Sequence, residues 1–142
     1  MGETRQRAAS DVTTIQIDGR RLSWRRFGQG PPLLLINGYA ATGADWDRGL
    51  LSALQRTFTV ICPDNRGLGG SDLGDPGALT IDAMADDMLA LLDNAGVDGV
   101  TVAGWSMGGF VAQALTVCSP ERVGALVLLA SSETWWRQRG PS

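Results

Sequence analysis

Gly104-Trp105-Ser106-Met107-Gly108-Gly109 is the most informative segment of this sequence. It follows an apolar run at residues 100–103 and opens an apolar-periodic segment at 110–118, which predicts a turn from a β-strand into an α-helix. A G-x-S-x-G pattern at such a turn is typical of a nucleophile elbow, where a strained backbone lifts a serine hydroxyl above the sheet edge. Gly104 and Gly108 are expected to remove side chains that would collide with the turn.

Two interpretations of this stretch stay open at this point. In the first, the N–H groups of the first helical turn, Met107 first, point at a negative charge that develops beside Ser106. In the second, the stretch is a glycine-rich corner with a serine on the surface. Three fixed residues in five are easily matched in a chain with 19 glycines, so the rest of the sequence has to decide.

Composition removes several classes of function. The chain has 142 residues, 44% of them hydrophobic, which predicts one domain with a core of ordinary size. Its net charge is −3 and no basic cluster stands out, which argues against nucleic acid as a partner. We interpret four arginines near the start as the solvated face of a strand pair: Arg20, Arg21, Arg25 and Arg26.

The sequence contains no histidine and no lysine. Without lysine there is no P-loop phosphate contact and no Schiff base, and without histidine there is no Ser-His pair within this chain and little prospect of a zinc site. No metal or organic cofactor is implied. Cys62 and Cys118 have the spacing of neither a disulfide framework nor a metal site, which favours a reducing cytoplasm.

The ends of the chain are polar. Residues 1–11 carry no apolar segment of the signal-peptide kind, and the apolar runs elsewhere are too short to span a membrane, so we expect a flexible start, a cytoplasmic protein and no membrane partner. The predicted domain division is 1–11 as a flexible N-terminus, 12–132 as the core and 133–142 as a C-terminal tail. Trp135 and Trp136 in that tail are hypothesised to fold back over the core.

Alternation of apolar residues predicts the order of elements. Residues 12–17 and 21–27 alternate at period two around Asp18-Gly19, which predicts an antiparallel hairpin. Buried strands then alternate with amphipathic helices, which predicts a three-layer α/β/α sandwich with a mostly parallel sheet. The predicted strands are 33–36, 58–62, 100–103 and 123–130, and the predicted helices are 46–56, 81–95 and 107–119.

A glycine-rich loop at residues 63–72 could suggest phosphate binding. Its glycines break the G-x-G-x-x-G spacing and no helix begins directly behind it, so that interpretation fails. Asp64 and Asp72 are expected to hold the loop through side-chain to backbone hydrogen bonds. Beyond the loop, Thr80 is a predicted helix N-cap and Gly96 a predicted helix end.

Three motifs in order resemble those of a known family. Residues 33–39 (LLLINGY) are similar to its oxyanion-loop strand, residues 64–72 (DNRGLGGSD) to its D-x-R-G-x-G-x-S-D loop, and residues 104–109 (GWSMGG) to its elbow. Over about residues 20–131 the chain therefore resembles the N-terminal half of an α/β-hydrolase-fold serine hydrolase, of the esterase, enol-lactonase or haloperoxidase-like kind. With all three motifs present, the surface-serine interpretation loses most of its weight.

The resemblance implies a role for each matching position. Ser106 corresponds to the nucleophile, and the backbone N–H groups of Tyr39 and Met107 correspond to the oxyanion hole. The supporting glycines of the loop and elbow would be Gly38, Gly104 and Gly108. The family usually has His-Gly where this chain has Asn37-Gly38, but some members have Asn, and the donor that is needed is a backbone N–H. A Tyr39 ring packed under the site would be compatible with that role.

The same resemblance implies what is missing. In this family the acid and the histidine follow the serine, after the seventh and eighth strands, whereas this sequence predicts a fold truncated after the sixth strand. Glu133 follows that strand and is either an acid or a solvated tail residue. We therefore expect an ester or lactone hydrolase half that is weak or inactive alone, completed by a C-terminal chain or by oligomerisation through the open edge at residues 123–130. The alternative is a non-catalytic pseudoenzyme that acts, if at all, as an interaction module.

Overall fold

The computed structural model describes residues 12–131 and contains six strands and three α-helices in this range. The helices are α1 (Arg48–Leu54), α2 (Ile81–Ala95) and α3 (Met107–Cys118). Two short 3₁₀ helices are also present, Pro76–Ala78 before α2 and Pro120–Arg122 after α3. The strands are β1 (Val12–Ile17), β2 (Arg20–Gly28), β3 (Pro32–Ile36), β4 (Thr59–Pro63), β5 (Val100–Trp105) and β6 (Val123–Leu129). The predicted strands and helices are therefore present, with bounds that differ by a few residues at most.

One six-stranded sheet runs through the described residues in the order β1-β2-β4-β3-β5-β6. The first two strands form the predicted antiparallel hairpin, and β2 also pairs antiparallel with β4. The pairs β3/β4, β3/β5 and β5/β6 are parallel. Because β5 lies between β3 and β6, the carboxyl ends of all three strands meet at one edge of the sheet, which is where the serine turn begins.

Alternation along β3 divides the core into two layers. Leu34 and Ile36 pack with α2 and α3 on one face of the sheet, and Leu33 and Leu35 pack with Trp46 and the partly buried leucines of α1 on the other. Side chains of successive strand residues point to opposite faces, so a continuous apolar run is what a strand covered on both sides requires. The predicted three-layer sandwich is confirmed.

Helix ends follow the predicted signals on α2 but not on α1. The Thr80 hydroxyl accepts a hydrogen bond from the Ala83 N–H, and Gly96 ends α2 in the left-handed conformation with φ 70°. Helix α1 is shorter than the predicted 46–56, because Asp47 caps it by accepting from the Leu50 N–H at 2.9 Å. Trp46 therefore precedes the helix and is buried in the core beneath it.

Strand β6 is one of the two edge strands of the sheet within the described range, the other being β1. Strand β6 pairs only with β5, and its residues Leu126 and Val127 are 37% and 42% exposed. The strand has no charged residue to discourage pairing, so its free N–H and C=O groups are an available template for another strand. None of the described helices is long and apolar enough to cross a membrane.

A buried ion cluster joins the hairpin, the glycine-rich loop and α2. Asp87 is 1% exposed and accepts from Arg66 at 2.9 Å through each carboxylate oxygen and from Arg20 at 2.8 Å. The interpretation of Arg20 as part of a solvated strand face is therefore wrong. Its side chain is 13% exposed and turned toward α2. This cluster fixes where the glycine-rich loop sits relative to the helix that follows it.

Candidate active site

Ser106 lies at the turn between β5 and α3 in a conformation that residues with side chains rarely adopt. Its φ is 53° and its ψ is −117°, values close to the first central position of a type II′ turn, where glycine is the usual residue. Such a conformation costs on the order of 1–3 kcal/mol and persists only where surrounding structure enforces it. The serine is exposed and occupies the N-cap position of α3, and its side chain forms no capping hydrogen bond.

The two elbow glycines are needed for close contacts between backbone segments. A Cβ on Gly104 would overlap the Gly108 carbonyl group, and a Cβ on Gly108 would overlap the carbonyl oxygen of Ile36 at the end of β3. The sequence predicts that both glycines avoid collisions within the turn itself. For Gly108 the collision that is avoided lies instead between α3 and the end of β3, so Gly108 sets how closely the elbow approaches the loop after β3.

That neighbouring loop begins at Asn37 and lies against the serine. A Cβ on Gly38 would be 3.4 Å from the Ser106 Cβ and 3.2 Å from the Trp105 carbonyl oxygen. The Gly38 N–H is already used, because it donates to the Asn37 Oδ1 at 2.8 Å. The Tyr39 N–H forms no hydrogen bond to any residue in 12–131. The Tyr39 amide thus has no acceptor among these residues.

The Tyr39 ring is not packed under the site, because the residue is 83% exposed. The role expected of Tyr39 therefore concerns its backbone N–H and not its ring. Met107 supplies a second amide: it is the first residue of α3, and a first-turn N–H has no acceptor within its helix. Met107 directly follows the exposed Ser106 at a helix N-terminus, where partial positive charge favours an anion.

The glycine-rich loop at residues 63–72 supports the loop after β3 through side-chain to backbone hydrogen bonds of the predicted kind. The buried Asp64 carboxylate accepts from the Gly43 N–H at 2.8 Å and the Gly70 N–H at 3.0 Å, which links the loop after β4 to the loop after β3. Asp72 accepts from the Arg21 N–H at 2.9 Å, and the Arg21 guanidinium lowers the pKa of Asp72. The expectation that both acids bond to backbone groups is confirmed.

Asn65 is a site-supporting residue that the sequence analysis missed. It is 1% exposed, and its Nδ2 donates to the Asn37 carbonyl oxygen at 3.0 Å. Asn37 in turn donates from its Nδ2 to the Thr42 carbonyl oxygen at 3.0 Å. The loop that carries Tyr39 is therefore held from both ends by amide side chains, and a pairing across 28 residues leaves no local pattern in sequence.

Neither cysteine is placed to act as a nucleophile. Cys62 is fully buried in β4, and burial raises the pKa of its thiol to about 12. Cys118 is exposed, but it lies at the end of α3 opposite Ser106. Within residues 12–131 no group of three or more histidine, cysteine, aspartate or glutamate side chains could hold a metal ion. Glu133, residues 1–11 and the tail with Trp135 and Trp136 lie outside the described residues.

The two thiols should therefore differ sharply in reactivity. With a disulfide reagent at pH 8, we expect one thiol per native chain to react quickly and the second to react on the order of 10³-fold more slowly, because Cys62 becomes accessible only on unfolding. Colorimetric counting of thiols before and after denaturation checks this. The Cys118→Ser variant should lose the fast phase alone, and a fast phase that persists in it would contradict the buried position of Cys62.

The sheet order and the strand-serine-helix turn define an α/β hydrolase architecture. The model of the alpha/beta hydrolase fold family matches residues 31–142, and the chain belongs to that family. It is 36% identical over 111 residues to a pimeloyl-[acyl-carrier protein] methyl ester esterase of Aeromonas hydrophila, covering 78% of this chain and 42% of the relative. It is 32% identical over 119 residues to an epoxide hydrolase of Siraitia grosvenorii, covering 83% and 38%.

Solved structures give the same result. A hydrolase from Pseudomonas aeruginosa superposes with a TM-score of 0.81 at 34% identity, covering 92% of this chain and 52% of that one. The epoxide hydrolase CorEH superposes with a TM-score of 0.79 at 33% identity, covering 84% and 42%. This chain thus spans about two fifths of the length of the first curated relatives, and its described sheet corresponds to part of their fold.

Proposed function

We propose that this chain is the nucleophile-bearing part of a serine hydrolase that cleaves a carboxylic ester or lactone through an acyl-enzyme at Ser106. The observation that carries the proposal is the backbone of Ser106, a non-glycine residue held at φ 53° between a strand and a helix. Strain of this kind is kept where it serves a function. The uncommitted amide of Tyr39 in the adjacent loop supports the same role.

The proposed chemistry uses each element of the site once. The Ser106 oxygen attacks the carbonyl carbon, and the carbonyl oxygen becomes an oxyanion that the Tyr39 and Met107 N–H groups stabilise. The tetrahedral intermediate then expels the alcohol, which leaves the acyl group on Ser106, and water releases it in a second attack. Removing one such donor typically costs on the order of 10²–10³ in kcat.

The nucleophile favours esters over epoxides as substrates, although relatives of both kinds match this chain. Attack by a serine hydroxyl on an ester yields an acyl-enzyme, which is itself an ester that water can cleave. Attack by the same hydroxyl on an epoxide carbon would yield an ether, which water does not cleave under mild conditions. Only the first outcome regenerates Ser106 and gives turnover.

A general base is needed in addition, and this chain has no histidine to provide it. A serine without a base is a poor nucleophile, and enzymes that lose their triad keep only about 10³–10⁴ of rate acceleration over water. We therefore propose that an acid and a histidine from a further C-terminal segment or partner chain complete the site. Glu133, just past β6, is a minor candidate for the acid.

Complementation is the experiment that tests this function. The chain is mixed with, or fused to, a C-terminal segment that carries an acid and a histidine and is taken from an esterase relative. We expect p-nitrophenyl acetate turnover to be near background for either part alone and to rise by at least about 10³-fold when they are combined. Steady-state absorbance of p-nitrophenol measures the gain.

The control variant lies in the added segment. Its histidine is replaced by alanine, which should return turnover to the level of the isolated chain while binding between the two parts is retained. If a folded, associated pair shows no gain over its separate parts, the enzymatic proposal is wrong. Circular dichroism and size-exclusion chromatography on the same samples establish folding and association.

A second candidate function is supported by the edge strand. Strand β6 offers an uncharged edge with Leu126 and Val127 partly exposed, and an open edge of this kind pairs readily with another strand. On this view the chain is a non-catalytic hydrolase relative that acts as an interaction module or forms a homo-oligomer. Association with the C-terminal segment without turnover is the result that this alternative predicts.

A cytoplasmic location is also a proposal. Cys62 and Cys118 are both free thiols in the structure, one buried and one exposed. Unpaired thiols are what a reducing compartment maintains. The substrate we propose is accordingly a small ester or lactone met in that compartment, and neither nucleic acid nor a membrane enters the proposal.

A further inference from the structure

The carbonyl oxygen of Ser106 accepts two hydrogen bonds, and only one of the two donors belongs to α3. This oxygen accepts from the Gly109 N–H at 2.9 Å and from the Ser131 hydroxyl at 2.8 Å. A carbonyl has no hydrogen to give, so the hydroxyl must be the donor. On the other side of the residue, the Ser106 N–H donates to the Leu129 carbonyl oxygen at 2.9 Å.

Two of these three hydrogen bonds are formed with residues outside the elbow, Leu129 and Ser131, and both residues lie at or just beyond the end of β6. The chain turns sharply there, because Ala130 has φ 48°, and this turn brings the Ser131 side chain back over the start of α3. Ser106 and Ala130 are thus two non-glycine residues with positive φ. They are linked because Ser106 forms hydrogen bonds with Leu129 and Ser131, the residues on either side of Ala130. The strain of such a conformation persists where neighbouring contacts over-determine it.

Gly109 has a role here that a G-x-S-x-G pattern does not demand. A Cβ at this position would overlap the Oγ of Ser131 and lie 2.5 Å from its Cβ. Glycine is otherwise unfavourable inside a helix, where alanine is the better residue. Its presence in the first turn of α3 therefore leaves room for one side chain, that of Ser131.

We propose that Ser131 is a positioning residue for the nucleophile: its hydroxyl, admitted by Gly109, holds the Ser106 peptide so that the serine side chain stays at the tip of the elbow. The Ser131 hydroxyl binds the backbone of Ser106 and takes no part in bond making. This inference rests on the proposed function for its consequence in catalysis. The hydrogen bond from the Ser131 hydroxyl to the Ser106 carbonyl oxygen, called the clamp below, can be tested without measuring activity.

The first test is a cycle of four proteins: wild type, Ser131→Ala, Gly109→Ala and the double variant. Amide hydrogen exchange is measured by NMR on the 142-residue chain. Loss of one hydrogen bond should speed exchange at the Ser106 and Gly109 amides by roughly tenfold in Ser131→Ala. Gly109→Ala should do the same by expelling the hydroxyl, and it should add nothing in the double variant.

Two further variants separate the clamp from general destabilisation. Ser131→Thr keeps the hydroxyl and should retain slow exchange at both amides. Ser52→Ala removes an exposed serine of α1 and should leave them unchanged. Unchanged exchange in Ser131→Ala, or strictly additive effects of Ser131→Ala and Gly109→Ala, would overturn the proposal.

The second test uses turnover of the complemented enzyme. Ser131→Ala should lower kcat between about tenfold and a hundredfold and change KM by less than about twofold, since only the placement of the nucleophile is altered. Wild-type kcat in Ser131→Ala, despite faster exchange, would overturn the positioning role. Slow exchange in wild type, faster exchange in Ser131→Ala and no Ser106-dependent turnover in any protein would support the clamp and reject the proposed function.

Discussion

Replacing Ser106 with alanine in the complemented enzyme should lower kcat by on the order of 10⁴-fold or more, because no other group in the described site can form the acyl intermediate. Association with the C-terminal segment should be unchanged, since the serine side chain forms no hydrogen bond that caps α3. The rate of p-nitrophenyl acetate hydrolysis at saturating substrate, measured beside wild type, gives the result.

A glycine variant separates chemistry from folding. Alanine keeps the strain of φ 53°, whereas glycine adopts positive φ at little cost. Ser106→Gly should therefore be as inactive as Ser106→Ala but more stable than wild type by about 1 kcal/mol, within the range that such strain costs. Urea unfolding of the three proteins measures the difference. Activity that survives in either variant would remove Ser106 from the mechanism.

Replacing Asp87 with alanine should destabilise the fold by about 3–5 kcal/mol, which is a large part of the stability of a small domain. The carboxylate is 1% exposed and is the partner of both Arg66 and Arg20, whose side chains are 8% and 13% exposed. Its removal leaves two largely buried guanidinium groups without their hydrogen-bonded counter-charge. In the wild type Asp87 raises the pKa of Arg66 through their hydrogen bonds. An arginine stays protonated even without that partner, so neither cation escapes the cost of burial by losing its proton.

The matched control is the adjacent residue on the same helix. Asp86→Ala removes the same group from an exposed position of α2 and should change the free energy of unfolding by about 0.5 kcal/mol or less. Both variants are compared by urea denaturation monitored by circular dichroism. Equal effects of the two substitutions would mean that the Asp87 cluster contributes no more than a surface charge.

Local patterns in the sequence were sufficient for the strands, the helices and the turn at Ser106. Buried strands such as Pro32–Ile36 read as continuous apolar runs, and α2 carries both its capping Thr80 and its terminal Gly96. These signals lie within a few residues of one another, so one sequence is enough to find them.

Contacts between distant residues could not be predicted in the same way. Asp87 lies in the second turn of α2, and nothing local indicates that it is buried against Arg20, 67 residues away. Asn65 and Ser131 are likewise ordinary polar residues in sequence, and their role follows from a partner 28 or 25 residues away. The exposure of the Tyr39 ring likewise depends on tertiary packing, whereas the late start of α1 has a local cause, the capping Asp47.

If Ser106 is the reactive group of this site, a covalent inhibitor must become attached to it. The complemented enzyme is treated with a fluorophosphonate, digested and mapped by mass spectrometry. We expect a single adduct on Ser106 that forms only when the histidine-bearing segment is present. An adduct on another residue, or none in a folded and associated pair, would contradict it.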